Sequence, residues 1–153
     1  MEQSMTVIQE DLAARSKKAL TSGILSMVIP SAVIFLGYIL FIILFFALGF
    51  GADFINDSET VLPLLVVSIG EFLLSLLIAG IVMTILGKSA WNQAKAIRQD
   101  AISAGVRRPA KSIVAHAFGI SSFASGLFVI VLSALYLGIF ALVSIGVGLF
   151  ALR

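Results

Sequence analysis

One carboxyl group stands where carboxyl groups are rare. Glu71 lies deep inside the apolar stretch that runs from Leu62 to Gly87. An ionisable side chain at mid-membrane depth is costly and marks a candidate functional position. Ser68 precedes it by three residues and Ser75 follows it by four, so a helix puts all three on one face. Two chemistries are open to such a face. The carboxyl group can hydrogen-bond to hydroxyls and hold helices together, or it can serve as a proton or cation site on a transport path. Tyr38 is a candidate partner, because it sits at a similar depth counted from the outer end of the first apolar stretch.

The only histidine is His116, about one helical turn past Lys111. It differs in depth from Glu71 by roughly 15 Å at 1.5 Å rise per residue, so a direct relay between them is not expected. A lone histidine is no metal site. The chain has no cysteine, which excludes disulfides, thiolate ligands and a thiol nucleophile. There is no Gly-x-Ser-x-Gly elbow, phosphate-binding lysine loop, His-Glu-x-x-His pair or dinucleotide fingerprint. The sequence therefore predicts no catalytic residue, no metal and no cofactor, and the chain reads as a non-enzyme.

Lys88, Lys95, Arg98, Arg107, Arg108 and Lys111 face a single acid, Asp100, in one polar segment. These bases fix orientation in a membrane, and they also offer a contact for anionic lipid headgroups or a partner protein. Orientation accounts for the charge, so nucleic acid is not expected. Trp91 lies where tryptophan anchors a helix at the headgroup level.

The elements that carry these residues follow from composition. Of 153 residues, 60% are apolar and 12% are charged, and the mean hydropathy is +1.15. A soluble domain carries about twice that charged fraction. Three long apolar runs read as membrane-spanning helices. The predicted fold is all-α, a polytopic transmembrane bundle of three crossings, with four as the alternative. Residues 1–18 form a polar segment with Met5, Ile8 and Leu12 on one stripe, read as a short interfacial helix. The predicted transmembrane helices span about 19–50, 62–104 and 112–152. Pro30 should bend the first. Gly105 should stop the second, with Pro109 preventing its resumption. A fourth crossing needs a turn at Ser125-Gly126 or at Gly146 to Gly148.

Arg15, Lys17 and Lys18 join the six later bases on one side, while the loop over 51–60 holds Asp53, Asp57 and Glu59 and no base. The positive-inside rule then places the N-terminus and residues 88–111 in the cytoplasm, and the acidic loop outside. The expected location is the plasma (cytoplasmic) membrane.

Two patterns concern packing. A shift of ninety-six positions aligns Ala14, Ser16, Ala19, Gly23, Ile24, Ser26, Val33, Ile34 and Leu36 with Ala110, Ser112, Ala115, Gly119, Ile120, Ser122, Val129, Ile130 and Leu132. This is either an internal repeat of the kind transporters carry or shared membrane composition. Small residues four apart, such as Ala115 and Gly119, Ala134 and Gly138, or Ser144 and Gly148, allow close helix approach. They predict a tight bundle or a homo-oligomer.

Gly87 and Ala90 form a Gly-x-x-Ala ending to an apolar helix, Ile97, Arg98, Arg107 and Arg108 lie in a basic linker, and Ala115 and Gly119 open the next helix. This stretch resembles a widespread group of small bacterial membrane domains of unknown function. The resemblance implies a bacterial cytoplasmic membrane and brings no activity. The leading expectation is a non-catalytic membrane protein that associates with itself or serves as an accessory subunit beside other membrane subunits. A channel or transporter using Glu71 is the alternative, and a membrane-active or immunity-type protein is a third.

Overall fold

The computed structural model describes residues 2–50 and 58–151, with side chains described over 5–47 and 65–146. Three helices make up nearly all of it: α1 (Glu2–Phe50), α2 (Ser58–Ser103) and α3 (Ala110–Ala151). Each is long and apolar enough to cross a membrane. The protein is a small multi-pass membrane protein built as an all-α bundle of three spans. Asp53 and Asp57 of the acidic loop lie outside the described residues.

The polar N-terminal segment and the first apolar run are one helix rather than two, because nothing between Glu2 and Phe50 breaks it. Pro30 sits inside α1 and its side chain is fully buried. The alternative of four crossings is overturned, since α3 runs without a turn through both candidate hairpin sites. Glycine and serine there stay helical, with no proline to break the run.

The end of α2 follows the predicted chemistry. Gly105 takes a φ of +65°, a conformation that suits a residue without Cβ. The Val106 amide donates to the Ala101 carbonyl at 3.0 Å, and the Gly105 amide donates to the Ile102 carbonyl at 3.1 Å. These are the two bonds of a Schellman cap, and Val106 packs against the cluster that contains Ala101.

The helices meet along one repeated spacing. Buried positions on α1 are Leu12, Ser16, Ala19, Gly23, Ser26, Pro30 and Gly37; on α3 they are Ser112, Ala115, Gly119, Ser122, Gly126 and Ser133. Steps of three and four alternate, averaging 3.5, the period that keeps a seam facing its partner in a left-handed coiled coil. Helix α2 contributes Gly80, Gly87, Ala90, Ala94, Ile97 and Ala101 at the same spacing. It runs antiparallel to both neighbours, with Gly80 against Gly126, Gly87 against Gly119, and Gly37 against Ser75. Helices α1 and α3 run parallel, joined by a hydrogen bond between the Ser122 and Ser26 hydroxyl groups at 2.7 Å, with Ser26 Oγ accepting. That pair is separated by the repeat shift of ninety-six.

The α2–α3 contact is backbone on backbone. A Cβ added at Gly87 would lie 2.6 Å from the Phe123 amide nitrogen and 3.0 Å from the Gly119 carbonyl oxygen. One added at Gly119 would lie 2.6 Å from the Trp91 nitrogen, and one at Gly126 would lie 2.7 Å from the Thr84 nitrogen. Large apolar side chains such as Phe35, Leu36, Phe128 and Leu142 point outward instead.

Gly87→Ala is expected to push α2 and α3 apart and to destabilise the bundle by about 1–3 kcal/mol, the usual cost of overpacking. Gly138→Ala, where nothing lies within 4 Å of the new methyl group, should be neutral or stabilise by up to about 1 kcal/mol through helix propensity. Reversible unfolding in mixed micelles, comparing the two variants, checks both signs.

Candidate functional site

The intramembrane carboxyl group is built from α1 and α2. Glu71 Oε1 accepts a hydrogen bond from Ser75 Oγ at 3.2 Å, one turn along the same helix. That is long for an O–H···O bond. Glu71 Oε2 is buried and has no hydrogen-bond partner among the described residues. The opposing surface is Gly37 of α1, where an added Cβ would meet Ser75 Oγ at 2.6 Å and Glu71 Oε1 at 3.9 Å. Phe41, one turn further along α1, packs on Phe72 with ring centroids 5.7 Å apart. Gly37 and the Phe41–Phe72 pair are thus what α1 presents beside Glu71 and Ser75.

Glu71 and Ser75 come together as their spacing implies, and Ser68 is buried on the same helix. Tyr38 does not join them. It is half exposed, and its neighbour Gly37 occupies the place expected for it. Depth along the helix was estimated correctly, but consecutive residues point about 100° apart, so one position decides which residue faces α2. Gly37 was not singled out by sequence reasoning. Its signal was its place in the seam, seven residues after Pro30 and two steps of the repeat beyond it.

A second group of polar residues lies at the end of the bundle where the N-terminus, the end of α2 and the start of α3 meet. Arg15 Nη1 approaches Asp100 at 2.8 Å and Asp11 at 3.6 Å. The first contact ties α1 to α2 outside the apolar runs. Asp100, the lone acid among six bases, was the available hint. Arg108 donates from Nε to Ser112 Oγ at 2.9 Å and from Nη2 to the Ser112 carbonyl at 2.9 Å. Its Nη2 also reaches the Ala94 carbonyl at 3.5 Å. Burial first, and the charge of Arg98 second, lower its pKa from the ordinary value. Arg108 therefore clamps α3 to α2, whereas Lys88, Lys95, Arg98, Arg107 and Lys111 are exposed.

Trp91 is packed between α2 and α3. Its ring lies 6.4 Å from His116, edge to face, and 5.8 Å from Phe123. His116 Nδ1 is buried without a hydrogen-bond partner among the described residues. Among those residues, no three histidine, aspartate or glutamate side chains gather as a metal site.

No family model, curated protein or solved structure matches this chain. The functional reading rests on the geometry alone.

Ser75→Ala removes the hydroxyl that Glu71 contacts. Hydrogen bonds between side chains in membrane bundles average about 0.6 kcal/mol and reach about 1.7 kcal/mol. A loss of stability within that range is expected, measured by the same unfolding assay. A loss near zero would mean that the contact holds nothing.

Proposed function

We propose that the protein is a non-catalytic structural subunit of a cytoplasmic-membrane assembly, associating with copies of itself or with other membrane subunits. The observation that carries this reading is the closed seam. Helix backbones touch at Gly80, Gly87, Gly119 and Gly126. Hydroxyl groups in the seam donate to their own helix, as Ser26 does to the Gly23 carbonyl at 2.6 Å and Thr84 to the Gly80 carbonyl at 2.9 Å. The interior is spent on holding helices together. Further support comes from the outer half of α3. There Ala134, Gly138 and Ala141 are exposed on one face, with open space at Gly138. Small residues at that spacing suit a further helix.

The absence of cysteine makes a clean test. Gly138→Cys should form a disulfide between copies in native membranes, or a cross-link to a defined second polypeptide. Leu36→Cys, on an exposed face of α1 with large side chains around it, should not. Equal, weak cross-linking at both positions, together with a native mass of one chain, would end the reading.

One observation favours the alternative of a proton or cation path, namely the unpartnered Oε2 of Glu71. Glu71→Gln separates the two. Glutamine can still hydrogen-bond with Ser75, so a structural role predicts unchanged assembly and no change in ion or proton flux through proteoliposomes. Flux in the unmodified protein that disappears in Glu71→Gln would replace the structural reading with the transport one.

A further inference from the structure

A cavity of about 270 Å³ opens between α1 and α2 at the basic end of the bundle, lined by Arg15, Lys18, Gln93, Ala96 and Ile97. Its two charged groups are both cations. Arg15 is anchored by Asp100 and Asp11. Gln93 is held by a hydrogen bond from its Nε2 to Ser89 Oγ at 3.1 Å, which keeps its amide beside the cavity. Lys18 is exposed and pairs with no acid among the described residues. Ala96 and Ile97 supply an apolar floor.

Position along the membrane normal selects the ligand. Lys18 adjoins Ala19, where the first apolar run begins, and Arg15 lies one turn beyond. On α2 the apolar run ends at Gly87, so Gln93 to Ile97 lie roughly 9–15 Å further out at 1.5 Å rise per residue. The headgroup layer extends about 5–8 Å outside the hydrocarbon on each side. The α2 wall therefore stands beyond the outer edge of that layer, and it is Lys18 and Arg15, within roughly 6 Å of the start of the first apolar run, that reach into the phosphate plane from the α1 wall. We propose that this cavity binds the phosphodiester headgroup of one anionic glycerophospholipid, with Lys18 and Arg15 as its cationic contacts and Gln93 as a neutral donor. The site is distinct from the exposed bases of residues 88–111, which attract anionic lipid only through their summed field. It also places a lipid at the joint where α1 leaves the membrane beside α2, bridging the helices that Arg15 and Asp100 already tie.

The test uses the full chain in a neutral detergent, with phosphatidylglycerol, phosphatidylcholine and inorganic phosphate as separate probes, read by native mass spectrometry. One phosphatidylglycerol should be retained in preference to phosphatidylcholine. Lys18→Gln should weaken that retention about fivefold, the share of one basic contact near a membrane surface. Lys17→Gln removes the same charge from the adjacent residue, which does not line the cavity, and should change retention little. The double variant Arg15→Gln with Lys18→Gln should weaken it about thirtyfold. Because Lys18 makes no ion pair among the described residues, its single variant stays informative even where loss of Arg15 disturbs the bundle. Equal losses for Lys17→Gln and Lys18→Gln would overturn the site in favour of general surface charge. Displacement of the lipid by millimolar inorganic phosphate would overturn the lipid assignment in favour of free phosphate.

Discussion

The close approach of α2 and α3 at four glycines is the constraint on which the rest of the structure depends. In lipid there is no hydrophobic force between apolar helices, because the tails are as apolar as leucine. Association must come from contact, and contact is best where backbones can touch. Gly87 and Gly119 each leave less room than a methyl group needs, so each helix presents its carbonyls and Cα atoms to the other. Dispersion between atoms at short range is small for each pair and large when summed over a long seam. Once α2 and α3 are fixed at this distance, the position of α1 follows. Gly23 lies against Ala115 and Phe118 of α3, and Gly37 lies against Ser75 of α2.

The same constraint accounts for the serines. Ser16, Ser26, Ser68, Ser112, Ser122 and Ser133 are all buried, which would be costly for hydroxyls left without partners. Ser16 donates to the Ala13 carbonyl at 2.7 Å and Ser112 to the Pro109 carbonyl at 2.9 Å, so these two are satisfied within their own turn. A serine in this state is a small residue with its polarity already met. The Ser26–Ser122 bond crosses between helices. Glu71 is different in kind, because its second oxygen finds no partner among the described residues.

Much of this was legible in the sequence, and the misses have physical causes. Number and type of the spans follow from apolar run length, and the α2 stop follows from Gly105. The ninety-six-residue correspondence was legible as a pattern but open in meaning. The structure gives part of it a physical role: Ser16, Ala19, Gly23, Ser26 and their counterparts on α3 are seam positions, and both helices need small residues there. Resemblance of this kind is required by packing against a common partner, with or without duplication. What hydropathy could not supply was azimuth. Glycine, serine and alanine carry little hydropathy signal, so the buried face of a membrane helix is nearly silent on such scales. Hence Tyr38 was named where Gly37 stands. The bond from Arg15 to Asp100 was equally hidden, since it joins residues far apart in sequence at one level of the bundle.

Packing also changes along the length of the bundle. Among the described residues, the only large aliphatic side chains buried almost completely are Leu12 and Ile97, and both belong to the cluster with Ala19, Ala94, Ala101 and Ala115 at the basic end. Beyond the apolar runs water is present, so burying a leucine or isoleucine contributes about 1.5–3 kcal/mol. Further into the membrane that contribution vanishes, and the seam changes to glycine, serine and proline. One continuous heptad seam therefore joins two kinds of adhesion, and the change of side-chain size coincides with the ends of the apolar runs. The ionic tie between α1 and α2 and the Arg108 clamp between α2 and α3 lie on the watered side of that change. There Arg15 and Asp100 keep half-exposed side chains, so neither ion bears the full cost of leaving water. The polar end fixes which helix meets which, and the glycine seam carries that register through the membrane.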